Sequence, residues 1–160
     1  MIKEITNPEV LEISLKIEQE GARFYNELAK QISDPKVNNF LIHMAKEEGD
    51  HEKQFKKLLD EKGGKPYGWE KNPEFRHLVD DIFQTDIFPN LEEVFNLLPK
   101  FEALQKAIDF AIEAEMVSAE FYSLLGQNCE NFEAKTALIL LEKEELQHLQ
   151  YVKSLKETLS

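Results

Sequence analysis

Apolar residues recur at alternating steps of three and four along four long stretches of the chain, the period of a helix that buries one face. The first stripe runs through Leu11, Leu15, Ala22, Tyr25, Ala29 and Ile32, and the second through Phe40, Met44, Phe55 and Leu58. The third contains Leu104, Ile108, Ala111, Tyr122 and Leu125, and the fourth Leu138, Leu141, Val152 and Leu155. Punctuation sets the limits. Pro8 suits a first helical position, Ser33-Asp34-Pro35 stops one helix and caps the next, and Gly63-Gly64 ends the second. The pattern predicts helices over about 8–32, 35–62, 101–127 and 132–159, with a short turn around Gln127–Asn131. From about 63 to 100 the text changes character: GGKPYGWEKNP reads as loop, PEFRHLVDDIFQ as a short helix, and FPN and Leu98-Pro99 as further breaks. The expected fold is all-α: a four-helix bundle made of two antiparallel hairpins joined by a long crossover that contains a short helix, all in one domain spanning 1–160.

Polar residues interrupt the stripes in register. Glu18 lies on the first, Glu48 and His51 on the second, Glu115 and Ser118 on the third, and Glu145 and His148 on the fourth. In each Glu-x-x-His the two side chains share a helix face, because residues three apart are neighbours on an α-helix surface. A repeat with an offset of 97 residues ties the stripes together. It carries Glu18 onto Glu115, Phe24-Tyr25 onto Phe121-Tyr122, Glu48 onto Glu145 and His51 onto His148. Within each half the lone Glu and the Glu of Glu-x-x-His are equidistant from the intervening turn, about 15 residues or roughly 22 Å along each helix. Two half-sites therefore fall at one level of the bundle.

Composition narrows what could compensate such a cluster. The chain has 160 residues, 42% of them hydrophobic, and its formal net charge is −12. That charge disfavours nucleic acid and anionic membrane surfaces and favours cations. Cys129 is the single cysteine, so no disulfide and no CxxC metal knuckle forms within the chain. Scattered charges near the N-terminus and the lack of an apolar run of eighteen residues give no export signal or membrane span, and a reducing cytoplasm is the expected location. Carboxylates taken out of water cost several kcal/mol each without compensation. Four glutamates carry a charge of −4, which two divalent cations balance. Hard oxygen donors with one imidazole per ion suit iron first and manganese second, with zinc an acceptable occupant as purified. The candidate metal ligands are thus Glu18, Glu48, His51, Glu115, Glu145 and His148, with carboxylates bridging. On this reading His51→Ala and His148→Ala weaken metal binding and relieve the metal-free fold of buried charge.

At these residues the chain resembles the ferritin-like superfamily, whose four-helix bundles bind two irons through a lone Glu from each of two helices and a Glu-x-x-His from each of the other two. The segments IEQEGARFYNELA and IEAEMVSAEFYSLLG are most similar to rubrerythrin-related proteins, with Tyr25 and Tyr122 seven residues after the lone glutamates. Those tyrosines are either core aromatics or hydrogen-bond donors to ligand carboxylates. Glu47 and Glu144, one residue off the stripe, fit solvated residues or partners of the ligands better than ligands. His43 and His77 fall outside the ligand set. Where rubrerythrin peroxidases carry a further glutamate, this chain has Ser118; it lacks the four cysteines of a rubredoxin domain, and Gly49 stands where a bacterioferritin carries its haem methionine.

The resemblance implies a non-haem di-iron oxidoreductase that reduces hydrogen peroxide or dioxygen and draws on an external electron donor. Two other classes remain: an iron-oxidising, iron-handling protein, and a non-catalytic metal-stabilised bundle that binds a partner through its acidic face. Phe75, Phe83, Phe88 and Phe95 in the crossover pack either on the bundle or in the interface of a homodimer.

Overall fold

The computed structural model describes residues 7–61, 67–69, 72, 76–77, 80 and 91–159. Its elements are α1 (Asn7–Lys30), α2 (Pro35–Glu61), α3 (Leu91–Leu97), α4 (Lys100–Gln127) and α5 (Phe132–Leu159). The long helices pair as the hairpins α1–α2 and α4–α5; α2 touches α5 across the bundle, and α3 rests on α4 and α1. No strand occurs among the described residues.

Each hairpin turn is fixed by a side-chain cap at the same place in the repeat. Asp34 Oδ1 accepts hydrogen bonds from Lys36 N (2.9 Å) and Val37 N (3.2 Å), satisfying donors that a helix start leaves open. Asn131 Oδ1 does the same for Ala134 N at 2.9 Å. α1 ends at Lys30, two residues earlier than the stripe predicts. There the chain tightens into three-residue turns, Gln31 N to Leu28 O and Ile32 N to Ala29 O, and Asn38 Nδ2 donates to Ala29 O at 2.6 Å.

Burial refines the stripes. On α2, α4 and α5 the described stripe residues are buried, except that Phe40 and Leu104 are only partly so. On α1 the buried face is centred on Val10, Ile13, Ile17, Phe24 and Leu28 beside Glu18 and Tyr25, and Leu11, Leu15 and Ala22 lie at its edge. A stripe at period 3.6 drifts across a helix this long, so residues on either flank of the expected line take its centre.

Two apolar clusters sandwich the polar level. One includes Ile13, Ile17, Phe55, Phe121 and Leu138; the other Phe24, Leu28, Met44, Ile108 and Val152. In the crossover, Arg76, His77 and Asp80 are helical, and the rest of the expected short helix lies outside the described residues. α3 supplies a short helix at the end of the crossover, where the sequence marks only chain breaks. Phe95 packs partly buried on the bundle; Phe75, Phe83 and Phe88 lie outside the described residues. The stretch Tyr67–Gly68–Trp69, expected as plain loop, is core: both rings are fully buried and stacked, with centroids 4.7 Å apart. Arg76 ties the same region to the start of α1 through Glu9.

Candidate metal centre

The polar residues of the stripes converge midway along the bundle, where all four glutamates and both histidines are at most 2% exposed. The histidines reach across between hairpins. His51 Nδ1 lies 2.8 Å from Glu145 Oε1, and His148 Nδ1 lies 2.7 Å from Glu48 Oε1. Their rings stack with centroids 5.6 Å apart and planes 19° from parallel. Nδ1 of each ring thus faces the carboxylates. Nε2 faces outward, where Glu144 receives His51, and Glu47 receives His148 at 2.5 Å. Both tyrosines cross as well: Tyr25 Oη donates to Glu115 Oε1 and Tyr122 Oη to Glu18 Oε1, each at 2.5 Å. Of the two roles open to these tyrosines, both are filled, since the rings are fully buried and the hydroxyls hold the carboxylates.

These contacts satisfy one oxygen of each carboxylate and leave the other. Oε2 of Glu18, Glu48, Glu115 and Glu145 is buried without a hydrogen bond. An unpaired buried carboxylate oxygen is among the most unfavourable groups a core can hold. Four such oxygens in one buried cluster make a set of donors that could hold cations. Donor atoms of Glu18, Glu48, His51 and Glu145 lie within 4.8 Å of one another, and so do those of Glu48, Glu115, Glu145 and His148. Glu48 and Glu145 belong to both sets.

The electrostatics record the same crowding. Burial, reinforced by the charges of the neighbouring glutamates, raises Glu48 and Glu145 well above the usual carboxylate range. Burial alone would discourage charge on the histidines. The adjoining carboxylates outweigh it, raising His51 through Glu18 and Glu144 and His148, through Glu115 and Glu47, to about 9. Tyr25 and Tyr122 are raised by burial and by the nearby glutamates, so both remain hydrogen-bond donors. Glu47 is lowered: its partial burial works the other way, but His148 and His43 prevail.

The remaining residues sort themselves by contact. Ser118 turns its Oγ to Ala114 O of its own helix at 2.9 Å and adds no ligand to the cluster. His43 is exposed and meets Glu47 Oε1 at 2.7 Å. Glu47, Asp50, His51, Gln54, Glu144 and Gln147 line a polar cavity of about 250 Å³ over the outer edge of the histidines. Cys129 is buried in the α4–α5 turn. No helix among the described residues is long and apolar enough to cross a membrane.

The chain is similar to two solved structures over nearly its whole length. A hypothetical protein from Pyrococcus furiosus is 26% identical, with a TM-score of 0.74 over 97% of this chain and 90% of that one. A Thermotoga maritima protein described as a ferritin-like diiron-carboxylate protein is 22% identical, with a TM-score of 0.72 over the full length of both chains. No curated protein matches. The family model named Rubrerythrin matches residues 9–156, which takes in both hairpins and all six converging side chains, and the chain belongs to that family.

Proposed function

We propose that the protein is a di-iron carboxylate redox enzyme that reduces hydrogen peroxide or dioxygen with electrons from an external donor. The observation that carries this reading is the cluster of four buried glutamates, each with an Oε2 that accepts no hydrogen bond, beside two histidines whose Nδ1 atoms turn inward. Glu18, Glu48, His51 and Glu145 would hold one ion, and Glu48, Glu115, Glu145 and His148 the other. Hard oxygens with one nitrogen per position favour iron, with manganese or zinc as substitutes. With iron at both positions, the site would supply the two electrons that reductive cleavage of one O–O bond requires.

The chain's own residues supply position, charge and dryness. Tyr25 and Tyr122 hold the lone glutamates, and Glu47 and Glu144 fix the histidines by their outer nitrogens. Apolar clusters on both sides keep bulk water from the centre. Both histidines are engaged by carboxylates and Cys129 lies in the distant α4–α5 turn, so neither a Ser-His-Asp nor a Cys-His nucleophile competes for the chemistry. Because position 118 is a serine that bonds to its own backbone, the carboxylate that rubrerythrin peroxidases carry there is missing, and turnover slower than theirs is expected.

The same reading places the protein in the cytoplasm, a reducing compartment suited to a lone buried thiol and to iron(II). It also includes a homodimer, supported by the apolar patch at the α3–α4 junction, where Leu97 is 81% and Phe101 62% exposed. Light scattering showing a monomer discards the dimer, and a 24-subunit particle favours the iron-handling reading.

The deciding experiment is anaerobic reconstitution with Fe(II), metal analysis, and rapid mixing with one equivalent of hydrogen peroxide. Two irons per chain and prompt near-ultraviolet absorption of the ferric pair are expected. Two irons oxidised no faster than free iron in buffer would leave a metal-stabilised bundle, and binding of less than about 0.3 equivalents would end the metal reading altogether.

A further inference from the structure

We propose that the two metal positions are unequal and that His43 makes them so, by weakening the hold on the ion beside His148 relative to the ion beside His51. This rests on the metal-binding reading above. The repeat holds at the cluster and at its outer partners: Glu47 maps onto Glu144, and each receives the Nε2 edge of the histidine from the other hairpin. One turn earlier along the helices the match fails. On α2 that position is His43, whose Nε2 lies 2.7 Å from Glu47 Oε1. On α5 it is Leu140, which has no donor. Glu47 therefore divides its charge between two imidazoles, while the equivalent charge on Glu144 is not shared in this way.

A carboxylate on the far nitrogen of a metal-bound imidazole raises the basicity of the ligating nitrogen. The stronger donor is then His51. His43 could act in the opposite sense by steadying Glu47 and so orienting His148. Orientation is already fixed, however, because His148 is 1% exposed and stacked on His51. Charge sharing is the effect that remains. Its size should be about threefold in affinity, well short of the tenfold or more that losing such a carboxylate costs.

Both of these positions are on the surface: the His43 side chain is 63% exposed and Leu140 is 55% exposed. Exchanges there leave the core alone. The protein should be titrated with Co(II) while proton NMR follows the exchangeable, paramagnetically shifted imidazole N–H resonances of His51 and His148. In the parent protein one resonance should grow in ahead of the other. His43→Leu should move the later one only and tighten its position about threefold; Leu140→His should move the earlier one only and weaken its position. Resonances that grow in together, or a His43→Leu protein in which neither or both move, would overturn the proposal while leaving the metal reading intact. Failure of Co(II) to bind at all would sink both.

Discussion

The hydroxyl of Tyr25 on α1 donates a 2.5 Å hydrogen bond to Glu115 on α4, and the pair is closed off from solvent. The bond spans the two hairpins, as does its repeat image, Tyr122 to Glu18. Each hairpin therefore helps to compensate a carboxylate of the other. Tyr25→Phe deletes the donor and keeps the ring. The metal-free protein should lose about 1–3 kcal/mol in denaturant unfolding, because Glu115 then keeps less of its hydrogen bonding in the core. The loss should shrink when metal is bound, since a cation compensates the same charge. An equal loss with and without metal would show that the bond serves the fold alone.

The histidines reverse one expectation of the sequence. Their removal looked like relief of buried charge, yet Nδ1 of each sits within 2.8 Å of a buried carboxylate oxygen. His148→Ala leaves Glu48 without that partner, and breaking a buried pair costs about 3–5 kcal/mol. His51→Ala does the same to Glu145. Both variants should lose metal affinity and also destabilise the metal-free protein. Relief should come from Glu48→Gln and Glu145→Gln, which lower the charge and keep the shape. Thermal melts of the four metal-free variants test the ordering, and a histidine variant more stable than the parent would contradict it.

Stability of the metal-free protein should fall as pH rises from neutrality. Burial opposes charge on His148, but Glu115 and Glu47 hold its pKa up at about 9, against an ordinary value of 6.5. A group raised on folding binds its proton more tightly in the native state, so its stabilisation is complete below 6.5 and is lost as pH passes through 9. His51, Glu48 and Glu145 are raised too and act in the same direction. Glu47 is lowered, and its contribution changes in acid, below this window. Metal binding must displace these protons, so affinity should rise over the range in which metal-free stability falls. Urea midpoints at three pH values between 6 and 9, with and without Mn(II), would show the two trends crossing.

How much of this was legible in the sequence depended on whether a residue's role was written in periodicity. The four long helices and the six converging side chains are readable because each lies on a stripe whose spacing fixes its face, and the cap at Asp34 is readable from Ser33-Asp34-Pro35. Glu47 and Glu144 were harder, since a residue one step off the stripe points to the flank of the helix. Only the opposite hairpin decides whether a histidine meets it there. The face of α1 was read slightly askew because Leu11, Leu15 and Ala22 flank the true centre. Tyr67 and Trp69 were missed outright. They sit among Gly64, Lys65, Pro66 and Gly68, text that signals irregular backbone and carries no period, and irregular backbone is core only when something distant covers it.

That distant partner is the α4–α5 turn, and it leaves no room for a side chain at Gly68. Tyr67 O accepts a 2.6 Å hydrogen bond from Glu130 N, so the crossover backbone lies directly on the turn. Gly68 adopts φ +116°, a conformation that residues with a Cβ rarely take. A Cβ there would also meet Asn128 O at 2.7 Å and Glu130 N at 3.0 Å, both backbone atoms with nowhere to swing. Gly68→Ala should therefore cost about 1–3 kcal/mol through backbone strain and lift the stacked Tyr67 and Trp69 from their seat. Trp69 is the only tryptophan, which gives a direct reporter. Its emission should shift to the red as it meets water, and the melting temperature should fall. The cluster of glutamates and histidines lies midway along the bundle, away from this turn, so metal stoichiometry should stay at the parent's value. An unshifted emission with unchanged stability would mean that the contact between crossover and turn contributes nothing to the fold.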